Sequence, residues 1–373
     1  MTFEVELFPP GWLGRGFQLL ALSIEPSRVH DIGQRSVVFQ SHDDFRYTIA
    51  SAWDVAKKLF EDGLVYAPRF FGNDWRPLKN ILGVKITRWN DAAELLVKKL
   101  EEDKLPRNKR LPLAAAMMMK LNMFEYPRRM IGGRPSEEAS KIDVHGYLLA
   151  LVGGILSKIG RIGDTGFYLV PPPEAGIGDL REVGGLYAML ALQGGESRLS
   201  PLGAVFRLRR LDRLPVSIDV LLLLYGSAIV SEPLSLEPGS ACGATELDIL
   251  YAASISEAGN RAILNTMFPL GFSEPLCMLG SRLLTEFASA LIRSLRGRIC
   301  TGNDDNPGTK AISQCLQKLY LYTITGNNVY LYDCARLLRG AADSKECRGT
   351  GNELIRLASW LSRIRGGEVL IGG

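Results

Sequence analysis

The sequence predicts a mainly helical α+β fold: an N-terminal mixed domain with short strands, then a mostly helical C-terminal domain. Polar Thr2, Glu4 and Glu6 alternate with apolar Phe3, Val5 and Leu7, the pattern of a half-buried strand. Several later stretches carry apolar residues at helical spacing between cap signals. A chain of 373 residues also exceeds the size at which one hydrophobic core usually stops growing, which favours two domains.

After the first strand, Pro9, Pro10, Gly11, Gly14 and Gly16 form a turn-rich loop carrying Trp12 and Arg15, followed by an apolar stretch from Phe17 to Ile24. A long helix is expected from Asp44 to Asp62, because Phe45, Ile49, Ala52, Ala56, Leu59 and Phe60 recur on one face and Gly63 stands where a C-cap belongs. A short mixed region with Trp75 and Pro77 leads to an expected strand near Ile81 to Trp89, and Asn90 or Asp91 then caps a helix ending near Lys104. Beyond it come a Pro-flanked tether, a helix from about Pro112 to Phe124, a break at Pro127 and a Gly132-Gly133 turn.

Ser136, with Glu137 and Glu138 behind Pro135, is expected to start a helix that runs through Tyr147, Leu148, Leu151 and Ile155 to about Lys158. The segment GRIGDTGFYLVPPPEAGIGD reads as a loop, a strand over Phe167 to Val170 and a polyproline connector at Pro171 to Pro173. That connector marks the expected boundary between domains 1–175 and 176–373. From Asp179 onward mostly helices are expected, with turns at Gly194-Gly195, Pro238-Gly239 and Gly302 to Gly308, and a terminal strand from Glu368 to Ile371. No period of 20 to 50 residues repeats, which argues against a solenoid.

Composition excludes several classes. The longest apolar run, Ile218 to Val230, contains Asp219 and is too short to span a bilayer. The N-terminal strand pattern is neither a signal peptide nor a transit sequence, so a cytoplasmic location without membrane partners is expected. The six cysteines (Cys242, Cys277, Cys300, Cys315, Cys334, Cys347) form no C-x-x-C pair that would hold zinc and read as scattered core thiols. Disulfides would suit only a hyperthermophile's intracellular protein. No cofactor is implied.

Charge is the strongest functional signal. Between positions 104 and 134 stand Lys104, Arg107, Lys109, Arg110, Lys120, Arg128, Arg129 and Arg134 against one acid, Glu125. This insert therefore carries +7 in a chain whose net charge is +4. Phe124 and Tyr126 sit beside the Arg128-Arg129 pair, and cations with flat rings are what a nucleic-acid surface uses to displace counterions and stack bases. A second cluster, Arg207, Arg209, Arg210 and Arg213, alternates with Phe206, Leu208 and Leu211. As a strand it would put Arg207 and Arg209 on one face; as a helix it would join Arg209 to Arg213. Met117, Met118, Met119 and Met123 inside the first block read as core filler, with a partner-binding groove as the alternative.

Catalytic signatures are weaker. His30, His42 and Asp43, with Asp54 downstream, offer ligands for a divalent metal that activates water, as in an HD-type phosphohydrolase or nuclease. Against this, Ser41 or Asp43 is a natural N-cap for the following helix. GNDDNPGTK at Gly302 to Lys310 lacks Walker A spacing and order, and Gly160, Gly163 and Gly166 do not form G-x-G-x-x-G. No G-x-S-x-G elbow accompanies His30, His42 or His145, and His145 reads as helix-surface polarity. The chain is expected not to be an enzyme.

The segment KIDVHGYLLALVGGILSKIGRIGDTGFYLVPPPE, from Lys141 to Glu174, together with FEVELFPPGWLGRGFQ, resembles the large-subunit family of archaeal type I-A CRISPR interference (Cascade) complexes. The likeness is one of layout: a helix ending in glycines, Arg-Ile-Gly, a short Phe-Tyr strand and prolines, within a chain of this length. It implies a non-catalytic subunit of a crRNA-guided surveillance complex, with crRNA, target DNA and other complex subunits as partners, contributing to recognition of the protospacer-adjacent motif. It transfers no functional residue by position, so the candidate contacts rest on charge and aromatic placement alone.

Overall fold

The computed structural model describes residues 2–63, 65–106, 108–118, 141–162, 164–172, 175–193, 250–256, 263–270, 283, 286–287, 289–291, 293–294, 297–301 and 306–364. The fold is α+β, with short strands in the N-terminal region and a mostly helical C-terminal region. Two compact units partition the chain: Met1–Gly195 with Ile249–Pro269, and Glu196–Asp248 with Leu270–Gly373. The Pro171–Pro173 connector expected at the domain boundary lies inside the first of these ranges.

The first unit is built on helices that have no solvent face. Every residue of α1 (Leu13–Ser23) and α5 (Val144–Ser157) is buried. Leu13, Phe17, Leu19 and Leu20 are fully enclosed, and burial of such side chains contributes about 1.5 to 3 kcal/mol each. Small residues permit the close approach. A Cβ on Gly153 of α5 would overlap the Phe17 carbonyl of α1, and one on Gly154 would overlap the Trp89 ring. Gly184 of α6 (Ile177–Gln193) meets the Ser23 carbonyl in the same way.

Arg15 and Gln18, both buried inside this core, bond to backbone groups. Arg15 donates to the carbonyl oxygens of Phe8 (3.1 Å), Gln34 (2.9 Å) and Gly33 (3.0 Å), tying α1 to the turn between β2 (Val29–Ile32) and β3 (Ser36–Phe39). These strands and β1 (Phe3–Glu6) form an antiparallel sheet in the order β1-β3-β2, with Val5 opposite Val37. The register shifts between Val29 and Asp31, leaving His30 at the irregularity.

Around the central pair pack α2 (His42–Glu61) and α4 (Trp89–Glu101). Ser41 caps α2 by accepting from the Asp44 N–H at 3.1 Å, one of the two caps the sequence offered. The strand expected near Ile81 to Trp89 is replaced by α3 (Arg76–Leu82) and a single antiparallel bridge, Arg69 to Arg88. Gly83 at φ +78° accepts the left-handed backbone that ends α3.

Two further expectations are corrected near the basic block. In place of a helix from Pro112, β4 (Arg110–Pro112) is followed by a 3₁₀ turn over Ala115–Met118, with Met117 fully buried. Helix α5 starts at Val144, where Asp143 caps it, accepting from the Gly146 N–H, while β5 (Lys141–Asp143) pairs antiparallel with β4. At its far end α5 runs into β6 (Lys158–Ile162), a strand where the glycine-punctuated sequence predicts a loop. A four-stranded sheet follows in the order β6-β7-β8-β9. The expected strand is β7 (Thr165–Val170); its partners β8 (Leu250–Ser256) and β9 (Ile263–Leu270) interrupt the region expected to be mostly helical.

In the second unit, α7 (Pro307–Thr325), α8 (Val329–Ala342) and α9 (Asn352–Ile364) follow one another. Asn306 caps α7, accepting from the N–H groups of Gly308 and Thr309 and donating to the carbonyls of Ile299 and Cys300. Cys315 of α7 is bonded to Cys334 of α8, and Cys300 to Cys347. The scattered-thiol expectation is thus corrected for these four; Cys242 and Cys277 lie outside the described residues. Among the described residues no helix is long and apolar enough to cross a membrane.

Candidate nucleic-acid interface

Of the residues expected to contact nucleic acid, Lys104, Lys109 and Arg110 are described; Arg107, Phe124, Tyr126, Arg128, Arg129, Arg134, Arg207, Arg209 and Arg210 lie outside the described residues. The described ones occupy the near end of the basic block. Lys104 follows the C-terminus of α4, where Asp103 takes a positive φ and the Lys104 N–H closes onto the Lys99 carbonyl at 2.7 Å. Its ammonium holds Glu102 at 2.7 Å, and that hydrogen bond lowers the Glu102 pKa below the usual carboxylate value.

Arg110 has a structural partner. Its guanidinium meets the Glu6 carboxylate at 3.0 Å and donates to the Lys141 carbonyl at 3.0 Å, while half of the side chain remains exposed. Glu6 and Asp143 are themselves joined reciprocally: the Glu6 N–H donates to Asp143 Oδ2 at 2.6 Å, and the Asp143 N–H donates to Glu6 Oε2 at 2.7 Å. Gln18 closes the back of this clasp, donating to the carbonyls of Glu6 and Gly146 and accepting from the Phe8 N–H. The β4–β5 ribbon sets Pro112 opposite Lys141. Burial raises the Asp143 pKa, the Gly146 and Glu6 N–H groups pull it down, and the nearby Glu6 charge pushes it up again.

The residues of the metal reading are not gathered into a ligand set. His30 is exposed on β2, and Asp43 is almost fully exposed with Arg46 at 3.9 Å. His42 begins α2 with its ring against Phe3, centroids 4.7 Å apart. His145, expected on a helix surface, is buried: its ring stands against Phe3 and Phe45 at 5.3 Å each, with Nδ1 3.9 Å from Asp143. The correction follows from α5, which has no exposed face on which a histidine could sit. Among the described residues no group of three His, Cys, Asp or Glu could hold a metal ion.

Local reading missed the clasp, because Glu6 and Asp143 are 137 residues apart in sequence. It also missed a second cationic stretch, 66–88, with Arg69, Arg76, Lys79, Lys85 and Arg88 against a single acid, Asp74. A running charge count would have found it. No protein-family model matches the chain, and no curated protein matches it.

Proposed function

We propose that the chain is a non-catalytic, nucleic-acid-binding large subunit of a crRNA-guided type I CRISPR surveillance complex, contributing to recognition of the protospacer-adjacent motif and to target-DNA binding. Its partners in this reading are crRNA, target DNA and the other subunits of the complex, in the cytoplasm. The observation that carries it is the basic block itself: seven net positive charges between Lys104 and Arg134, three of whose five arginines, Arg128, Arg129 and Arg134, stand toward its far end. A cationic segment is suited to holding phosphates while base pairing reads sequence. Two disulfides in a cytoplasmic protein suit a hyperthermophilic host, which accords with an archaeal complex.

Arg128 and Arg129 are the critical pair. Replacing both with alanine is expected to weaken binding to duplexes of any sequence alike and to flatten the dependence of log affinity on log salt by about 1.8, roughly 0.9 per lost contact. Fluorescence anisotropy across a salt series measures it. An unchanged slope removes the assignment.

A further inference from the structure

The 66–88 segment carries a run of cations in a part of the molecule distinct in sequence from the 104–134 block. Arg69, Arg76, Lys79, Lys85 and Arg88 are all exposed, and no carboxylate among the described residues is paired with any of them. The charge of Asp74, the only acid of the segment, bears on the buried Tyr147 phenol, whose pKa is raised first by burial and then by that charge.

The bridge between Arg69 and Arg88 is the informative feature. The Phe70 N–H donates to the Thr87 carbonyl at 3.0 Å and the Trp89 N–H to the Pro68 carbonyl at 3.0 Å, so the two arginines form the narrow, non-hydrogen-bonded pair of an antiparallel bridge. Directly opposed residues in such a pair share a face, with Cα atoms about 4.5 Å apart. Like charges so opposed are destabilising, and each of these side chains is exposed without an acid to relieve it. An anion seated between the two guanidinium groups would reverse the sign of that interaction and take bidentate hydrogen bonds from each.

The other cations of the segment are spaced along it. Arg76 and Lys79 stand one turn apart on α3, and the Lys85 ammonium lies 5.3 Å from the centre of the Trp75 ring. Spaced cations with a partly exposed indole fit a chain of phosphates with bases alongside better than they fit a single small anion.

We infer that the exposed cations of this segment bind the phosphodiester backbone of a nucleic acid, with the Arg69–Arg88 pair as the anchoring phosphate site. This shares with the proposed function only the class of partner, and it stands on different residues.

The test compares the full chain, the Arg69→Ala/Arg88→Ala variant and the Arg128→Ala/Arg129→Ala variant. Each is titrated into labelled mixed-sequence duplex DNA, single-stranded DNA and single-stranded RNA over a salt series, with poly-glutamate as a competing polyanion. The Arg69/Arg88 variant is expected to fold with an unchanged or raised melting temperature, because the opposed charges are gone. Because the pair holds one phosphate, the variant should lose about 0.9 from the salt slope on a duplex or about 0.7 on a single strand. The larger loss of affinity identifies which strand form the segment holds.

An unchanged slope and affinity in this variant overturns the inference, as does failure of the full chain to bind any of the three nucleic acids. Displacement by poly-glutamate as effective, per charge, as by nucleic acid also overturns it, pointing to an acidic protein. A loss confined to the Arg128/Arg129 variant keeps the proposed function and sinks this inference. A loss confined to the Arg69/Arg88 variant does the opposite.

Discussion

Single carboxylates decide how the N-terminal unit responds to pH. Burial holds the Asp143 carboxyl above its ordinary value of 3.8, so the folded protein binds that proton more tightly than the unfolded chain does. Its contribution to stability is full below the unfolded value and is lost as pH rises through the raised folded value. Asp143→Asn removes a titrating group and one acceptor from the clasp. The melting-temperature advantage of wild type over this variant is therefore expected to be largest in acid and to shrink toward neutral pH; a gap that widens as pH rises would refute this. Residue-scale features divide sharply in legibility. Ser41 as a cap is local chemistry and could be read directly, whereas the partnership of Glu6 with Asp143 depends on a fold that closes 137 residues.

At the scale of elements, helices and strands with strong local periodicity were readable, and those that exist because a distant partner supplies an edge were not. The first strand, the long helix α2 and β7 stand close to where alternation and caps put them. By contrast, β5 occupies residues expected to be helical, because β4, some 30 positions earlier, offers hydrogen bonds that local propensity cannot anticipate. The same holds for β8, whose small residues give little strand signal until β7 is beside it. The helices of the second unit were expected, but their covalent links were not. Sequence separations of 19 for Cys315–Cys334 and 47 for Cys300–Cys347 correspond, in the chain-entropy account, to about 3 and about 4 kcal/mol. The shorter loop lies within the longer, so the two should not add in full. Cys315→Ser with Cys334→Ser is expected to lower stability to urea unfolding by about 3 kcal/mol. If a phosphine reductant leaves the wild-type midpoint unmoved, the bridges contribute nothing.

For the whole molecule, the order of the chain and the composition of its units disagree. Residues 249–269 return to the first unit after an excursion of more than fifty residues, and β8 pairs along the full length of β7. Five of the six residues of β7 are buried, so removing β8 would expose both a hydrogen-bonding edge and apolar side chains. A fragment ending at Gly195 is expected to aggregate or melt without a cooperative transition. The same fragment carrying residues 249–270 on a short flexible linker should be monomeric and melt cooperatively, as size-exclusion chromatography and circular dichroism would show. A well-behaved shorter fragment would mean that the strand return is dispensable.

The burial of α1 on every side also governs when this protein can fold. Elements before residue 119, α2 and the 3₁₀ turn at 115–118, cover only part of it, while α5, α6 and β7 all lie beyond residue 140, so helix 13–23 leaves the ribosome long before most of its cover exists. At synthesis rates of roughly 5 to 20 residues per second, the wait for α5 is on the order of ten seconds. The nascent chain must therefore carry an apolar N-terminal helix only partly covered through that interval, and completion of the core is set by translation and by the slow closure of distant contacts.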